Sequence, residues 1–273
     1  MHVLRPNSLA DALHALAADP KLTPIAGGTD LFVSWPSRSH ENVCFLDLSL
    51  LKDLRPFRLT PTHLELGALT TYWDLLTNPD ITKEFPLLTQ AARLVGAIQI
   101  QTRGTWAGNI ANASPAADGV PALMACDATV VLCSAKDGTT EIPLDSYYTA
   151  YRKSHRRPDQ LITAIKIPRR PRTQEYFYKV GARSAQAITK VGIAMLHDST
   201  GWRIIVNSVA PTILRLRTLE SALNNHQRFD SPDSLLPLLT KDIAPIDDIR
   251  STAAYRTTVL SRLLYFRLQG LAQ

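Results

Sequence analysis

Apolar positions at Leu9, Ala12, Leu13 and Leu16 recur at helical spacing behind Asn7-Ser8, and the run ends at Asp19-Pro20. That pattern predicts a capped amphipathic helix. Leu22 to Ala26 is short and apolar, and predicts a strand that runs directly into Gly27-Gly28-Thr29-Asp30. Thr29 and Asp30 can cap a helical segment beginning at Leu31. Val43 to Leu48 and Leu64 to Leu69 read as strands, while Thr70-Thr71 caps a segment carrying Trp73, Leu75 and Leu76. Leu87 to Val95 is helical by composition, Gln99 to Pro115 is polar and rich in small residues, and Ala116 to Ala125 is apolar enough for a buried helix. Thr129 to Cys133 and Thr140 to Ile142, joined through Asp137-Gly138, predict a hairpin.

Leu161 to Ile167 predicts a further strand, after which comes Pro168-Arg169-Arg170-Pro171-Arg172. A charged stretch broken by prolines is expected to bury little, so we place a domain division there, giving units 1–170 and 171–273. Beyond it Tyr176 to Val180, Ala187 to Leu196 and Trp202 to Val209 read as three successive strands. Leu216 to Leu223, Ser234 to Leu239 and Asp248 to Leu268 read as helices, so the second unit is expected to be a small meander backed by helices.

A chain of 273 residues can bury a stable core without crosslinks. Cys44, Cys126 and Cys133 are few, odd in number and set in apolar runs, which suits reduced thiols in the cytoplasm. No CxxC or HxxxH spacing occurs, so zinc or iron–sulfur ligation is not expected on this chain. Met1 to Ser8 lacks an apolar stretch of signal-peptide length, and no later run approaches the length that spans a bilayer.

Lysines and arginines number 30 against 24 acids. The excess is densest in Arg152, Lys153, His155, Arg156, Arg157 and again in Lys166, Arg169, Arg170 and Arg172. Nucleic acid is one partner such charge admits; we favour a solvated linker that docks an acidic subunit, because no aromatic residues interleave the charges as stacking platforms. The histidines have no mutual spacing that suggests acid–base work, and Ser114 lies in a Ser-Pro turn rather than a nucleophile elbow. Tyr147, Tyr148 and Tyr151 read as packing or interface residues.

Two segments carry the chemistry. In the first, Pro24, Ile25, Ala26, Gly27, Gly28, Thr29, Asp30 and Leu31, glycines follow a strand. Glycine removes side chains where backbone approaches a ligand and lets N–H groups face an anion such as a diphosphate. An ordinary Gly-Gly turn has the same sequence. The second runs Thr102-Arg103-Gly104-Thr105-Trp106-Ala107-Gly108-Asn109 and continues through Ser114 to Asp118. Its density of Gly, Ser, Thr and Asn suggests a binding loop, a long structural loop being the alternative. Asp118 is open to two roles, capping the next helix or accepting hydrogen bonds from sugar hydroxyls.

In this order and separation the two segments resemble the flavin subunit of the molybdenum hydroxylases, the family of xanthine, carbon monoxide and nicotinate dehydrogenases. The likeness continues in Tyr178-Lys179-Val180, Arg183, Ala187-Ile188-Thr189-Lys190-Val191, and in Asp248-Ile249-Arg250-Ser251 with Ala253, Tyr255 and Arg256. The resemblance implies an α+β fold: an FAD-binding domain of the vanillyl-alcohol-oxidase (PCMH) type, made of two α+β subdomains, then a smaller C-terminal domain with a three-stranded antiparallel sheet and helices.

It further implies that Ile25 to Leu31 and Thr105 to Asn109 clasp the diphosphate of FAD, with Asp30 and Asp118 near cofactor hydroxyls. Leu161 and Ile188 would line the ring, Val95 would lie on the adenine side, and Lys179 would sit near a ring carbonyl where a cation stabilises charge on reduced flavin. Where the family has Ile-Gly-Gly-Asn, this chain has Trp106-Ala107-Gly108-Asn109; the added methyl requires a negative φ at Ala107 or a shifted loop. Trp106 either packs or shields the flavin, and packing is the reading we favour. The implied role is electron transfer, with iron–sulfur clusters on a small partner, the molybdopterin cofactor on a large one, and a dimer of heterotrimers as the assembly. A stand-alone flavin oxidase and a nucleic-acid-binding protein are the rival readings.

Overall fold

The computed structural model describes residues 2–33 and 43–270. The chain opens with β1 (His2–Leu4), α1 (Leu9–Ala18), β2 (Thr23–Ile25), α2 (Thr29–Val33) and β3 (Cys44–Asp47). Ser8 caps α1 by accepting the Asp11 N–H at 3.1 Å, and Ala12, Leu13 and Leu16 form its buried face. The three strands make a parallel sheet in the order β1-β3-β2. Gly28, with φ of 73°, turns the chain out of β2, and its carbonyl accepts the Phe32 N–H at 3.0 Å. That closes the first helical turn at Thr29, two residues before the expected start; any continuation past Val33 lies outside the described residues.

Next come β4 (Phe57–Leu59) and β5 (His63–Gly67), then a run of helices: α3 (Tyr72–Leu76), α4 (Pro79–Glu84), α5 (Pro86–Arg93), α6 (Ile98–Gln101), α7 (Trp106–Asn112) and α8 (Gly119–Ala125). The polar stretch from Gln99 to Pro115 is therefore largely helical rather than one long loop. Thr105 caps α7 by accepting the Gly108 N–H at 2.9 Å, while Trp106 and Ile110, one turn apart, are buried. Capping and this short apolar face override the composition.

The chain returns through β6 (Thr129–Ser134), β7 (Gly138–Pro143), the small hairpin β8 (Tyr148–Ala150) and β9 (Lys153–Ser154), and β10 (Leu161–Pro168). A five-stranded antiparallel sheet results, ordered β4-β5-β10-β6-β7. Its buried positions, among them Leu64, Leu66, Val130, Leu132, Ile165 and Ile167, share a core with the helices.

The C-terminal part is β11 (Arg172–Val180), β12 (Val191–Asp198), β13 (Gly201–Asn207) and β14 (Leu214–Arg215), followed by α9 (Arg217–Asn224), α10 (Leu236–Asp242) and α11 (Ala253–Gln269). The expected three-strand antiparallel meander is present, and the two-residue β14 adds a fourth strand against Ile205 and Val206. Residues 187–190, expected at the start of the second strand, belong to the preceding loop, where Arg183 folds onto the carbonyls of Ala185 and Gln186. Helix α11 starts at Ala253 rather than Asp248, because Asp248 accepts the N–H groups of Arg250 and Ser251 in a turn and Thr252 supplies the cap.

The proline-rich connection does not lie loose in solvent. Arg169 donates to both carboxylate oxygens of Glu84 at 2.5 and 2.9 Å and to the Thr60 carbonyl at 2.5 Å. Arg172 lies over the Phe85 ring and donates to the Glu84 carbonyl at 2.9 Å. The C-terminal sheet is buried on both faces. Phe177, Ala194, Leu196 and Ile205 join the N-terminal core, while Val191, Ile193, Met195, Ile204 and Val206 pack with α9 to α11.

Candidate functional site

Gly27 and Arg103 are far apart in sequence and meet in the fold. A methyl group on Gly27 would lie 1.8 Å from the Arg103 carbonyl oxygen and 3.1 Å from the Gly104 nitrogen. One on Gly104 would lie 3.4 Å from the Thr29 hydroxyl and 3.5 Å from the Tyr72 ring. The two glycine-bearing segments thus pack backbone to backbone. A second tie fixes the later segment: the Trp106 backbone N–H donates to the Thr70 carbonyl at 3.2 Å and the Tyr72 backbone N–H to the Gly104 carbonyl at 3.3 Å.

Several amides expected to face an anion are engaged in α7. The Gly108 N–H meets the Thr105 hydroxyl, and the Asn109 N–H meets the Thr105 carbonyl at 3.1 Å. Asn109 therefore offers its side chain, whose Oδ1 is buried without a partner, as are the Tyr72 hydroxyl and the Trp106 indole N–H. Buried polar atoms are almost always paired, so the Tyr72 hydroxyl and Asn109 Oδ1 are groups that a polar ligand entering beside them would satisfy. Gly119 opens space between two of them, since a methyl there would lie 3.0 Å from the Tyr72 oxygen and 3.1 Å from Asn109 Oδ1. Trp106 itself is 0% exposed and its ring meets Tyr72 at 4.6 Å, so it packs. Ala107 is buried and absent from the positive-φ positions, which accommodates its extra methyl.

Acidic and basic groups complete the site. Asp118 precedes α8 but makes no side-chain cap. Its carboxylate accepts instead from Lys179 Nζ at 2.6 Å and from the Thr189 hydroxyl, and Lys179 also donates to the Leu94 carbonyl at 3.0 Å. Burial raises the Asp118 carboxyl pKa despite the lysine and threonine contacts that pull it down. Asp30 reaches solvent, yet the surrounding protein raises its carboxyl, with Arg152 acting the other way. Burial, then the charges of Asp118 and Asp30, push the Tyr72 phenol up, which places that hydroxyl under the influence of both acids. A dinucleotide fits what these residues offer: unpaired polar atoms at Tyr72 and Asn109, the carboxylates of Asp30 and Asp118 for hydroxyls, and the Lys179 cation.

Residues 1–170 match the family model described as the FAD binding domain in molybdopterin dehydrogenase, and residues 176–269 match the CO dehydrogenase flavoprotein C-terminal domain. The chain belongs to the FAD-binding subunits of the molybdenum hydroxylases. Its relatives include the nicotinate dehydrogenase FAD-subunit of Eubacterium barkeri, 33% identical over 70% of this chain and 66% of that protein. The carbon monoxide dehydrogenase medium chain of Afipia carboxidovorans is 29% identical over 95% of this chain and 92% of its own. A solved structure of reconstituted CO dehydrogenase from Oligotropha carboxidovorans superposes with a TM-score of 0.86 at 25% identity, covering 97% of this chain and 95% of that one.

Within this flavoprotein subunit the remaining expected positions fall less centrally. Pro24 and Ile25 are the last residues of β2, and Ala26 packs on the core as the strand meets the turn. Ser114 accepts the Ala116 N–H at 3.2 Å in the turn before α8. Leu161, at the start of β10, is 3% exposed in the N-terminal core, whereas Ile188 is 57% exposed on the loop after β11. Tyr72 and Gly119 escaped sequence reasoning, because their contacts cross between segments; the capping signal Thr70-Thr71 beside Tyr72 was the one local pointer. Among the described residues no group of acids, histidines and cysteines is arranged to hold a metal, and no helix is long and apolar enough to cross a membrane.

Proposed function

We propose that this flavoprotein subunit holds FAD between Gly27 to Asp30 and Thr105 to Asn109. It would relay electrons from an iron–sulfur partner to an external acceptor, with substrate oxidised at molybdenum on a third chain. The observation that carries the site assignment is the contact of Gly27 with the Arg103–Gly104 backbone, which brings both segments to one place. Residues 1–170 would form the cofactor-binding domain and residues 171–273 a C-terminal domain that contributes Lys179 and Thr189. The complex would be a dimer of heterotrimers in the cytoplasm, a compartment that suits the free thiols of Cys44, Cys126 and Cys133.

FAD, when bound, supplies acceptance of single electrons and their delivery as a pair. The protein's part is placement and electrostatics. Asn109 and Tyr72 bring unpaired polar atoms, Asp30 and Asp118 bring acceptors for hydroxyls, and Lys179 brings a cation held by Asp118 and Leu94. A fixed cation inside a site of low polarity favours the more negative, reduced state of a nearby group. Much of the second basic stretch is paired at home, Lys166 with Glu141, Arg169 with Glu84 and Arg170 with Asp127, as is Arg157 of the first with Asp137 and Asp159, which disfavours nucleic acid as partner. Purification from the native host tests the proposal. A yellow complex containing iron–sulfur and molybdenum chains is expected; a colourless chain that refuses added FAD, or a yellow chain that turns over alone, would defeat it.

A further inference from the structure

Arg256 belongs to the C-terminal motif that resembles the family's last helix, and electron transfer as described gives it no task. It is 3% exposed in the first turn of α11. Its Nη1 donates to the carbonyls of Lys190 and Ser208, each at 2.8 Å, and its Nη2 donates to Asp248 Oδ1 at 2.8 Å. Burial works against the charge of Asp248, yet the N–H groups of Arg250 and Ser251 and the Arg256 cation hold its carboxyl below the usual range. Arg256 Nε is buried without a partner, so only the two Nη groups are matched, and an apolar residue would fill the same position with less desolvation. What distinguishes this arginine is where its two carbonyl partners lead.

Lys190 closes the loop after β11, its N–H donating to the Val180 carbonyl at 2.8 Å. Ser208, at the end of β13, is left-handed with φ of 63°. Its N–H donates to the Pro115 carbonyl at 2.8 Å and its hydroxyl to the Thr189 carbonyl at 2.9 Å. The neighbouring Asn207 donates to the Ala117 carbonyl at 2.8 Å. Thr189 in turn donates to Asp118, the acid that holds Lys179. The guanidinium therefore ties together the loop that presents Thr189 and the strand end that grips the residues just before Asp118.

We infer that Arg256 is a positioning residue for the cofactor site: by holding Lys190 and Ser208 it fixes Thr189 and the 115–117 segment, and through them the Asp118–Lys179 pair. The inference rests on the FAD reading above. No contact between Arg256 and the cofactor is involved, so its effect travels through Asp118.

Two readouts on the full chain test it. In the cofactor-free protein, Lys179 should acylate slowly with an amine-directed reagent, as read by mass spectrometry. Arg256→Ala should speed that labelling at least tenfold, Arg256→Lys should restore part of the protection, and Ser208→Ala, which removes only the link to Thr189, should speed it a few-fold in a chain that folds normally. FAD titration should show at least a tenfold loss of affinity in Arg256→Ala, shrinking to less than twofold when the same change is made beside Asp118→Asn. Unchanged Lys179 labelling in both Arg256→Ala and Ser208→Ala, or affinity losses that simply multiply in the double variant, would overturn the inference while leaving FAD binding in place. A wild-type chain that takes up no FAD would overturn the cofactor reading and this inference together.

Discussion

At the scale of single residues, two glycines of one turn have different reasons to be glycine. Gly28 is required by its φ of 73°, whereas Gly27 is required because the Arg103 carbonyl occupies the space of a side chain. Gly27→Ala is expected to push the two segments apart, costing about 1–3 kcal/mol as overpacking usually does, and to cut FAD retention at least tenfold. Gly138 provides the control: its φ is 66°, but nothing lies within 4 Å of an added methyl, and it opens β7 directly after the turn from β6. Gly138→Ala should lose stability and keep FAD. Thermal melts and the flavin-to-protein absorbance ratio separate the outcomes, and a Gly27→Ala protein that retains full flavin would refute the convergence of the segments as the basis of binding. The sequence offers this turn as a place of backbone approach, but an ordinary Gly-Gly turn reads the same way. What it conceals is the partner, because the contact with Arg103 depends on tertiary folding. The same holds for the Asp118–Lys179 pair, whose members appear separately as candidates but whose contact joins α8's start to β11.

Elements were legible where a local signal decided them. Ser8 and Thr71 cap the helices expected of them, and Thr71 with Asp74 forms a full capping box. The stretch from Gln99 to Pro115 went the other way, because small polar residues dominate its composition while Thr105, Trp106 and Ile110 dominate its energetics. A hydroxyl at the cap and two buried side chains one turn apart are sufficient for a helix of seven residues held by its surroundings. Thr105→Val keeps the shape of the side chain and removes the acceptor for the Gly108 N–H. It should cost about 1 kcal/mol, the usual value of a lost cap, and weaken FAD binding by freeing the first turn of α7, whereas Thr105→Ser should recover most of both. Urea denaturation alongside FAD titration measures the pair of effects; equal stability of the Val and Ser variants would mean that the cap does not hold α7. The C-terminal strands show the complementary case. Val191 to Leu196 is an unbroken apolar run, a pattern of strands buried on both faces, and the two cores on either side of β12 are its consequence.

For the whole molecule, that two-sided burial means the connection at Pro168 to Arg172 separates topologies without separating cores. A charged joint crosses the same boundary. Arg203 on β13 donates to the Ala125 carbonyl of α8 at 2.8 Å and to the Thr200 hydroxyl at 2.6 Å, and it pairs with Asp198, whose side chain is 1% exposed. Burial works to raise the Asp198 carboxyl, but the bonds from Arg203 and Thr200 outweigh it and hold the group at about 2 against an ordinary 3.8. A carboxyl whose folded pKa is depressed contributes its full stabilisation above the unfolded value and loses it as the pH falls through the folded one. The window is therefore from about 4 down to about 2, and a shift of this size corresponds to roughly 2 kcal/mol. Because Arg203 also holds α8, protonating Asp198 should loosen the seam between α8 and the C-terminal sheet, ahead of β12 and β13 themselves. Denaturant midpoints measured at pH 6, 4 and 3 should fall more steeply below pH 4 in the wild type than in Asp198→Asn, which is less stable at pH 6 but has no such carboxyl to protonate. Parallel pH profiles for the two proteins would show that the acid sensitivity lies elsewhere and that the Arg203 joint does not depend on the Asp198 charge.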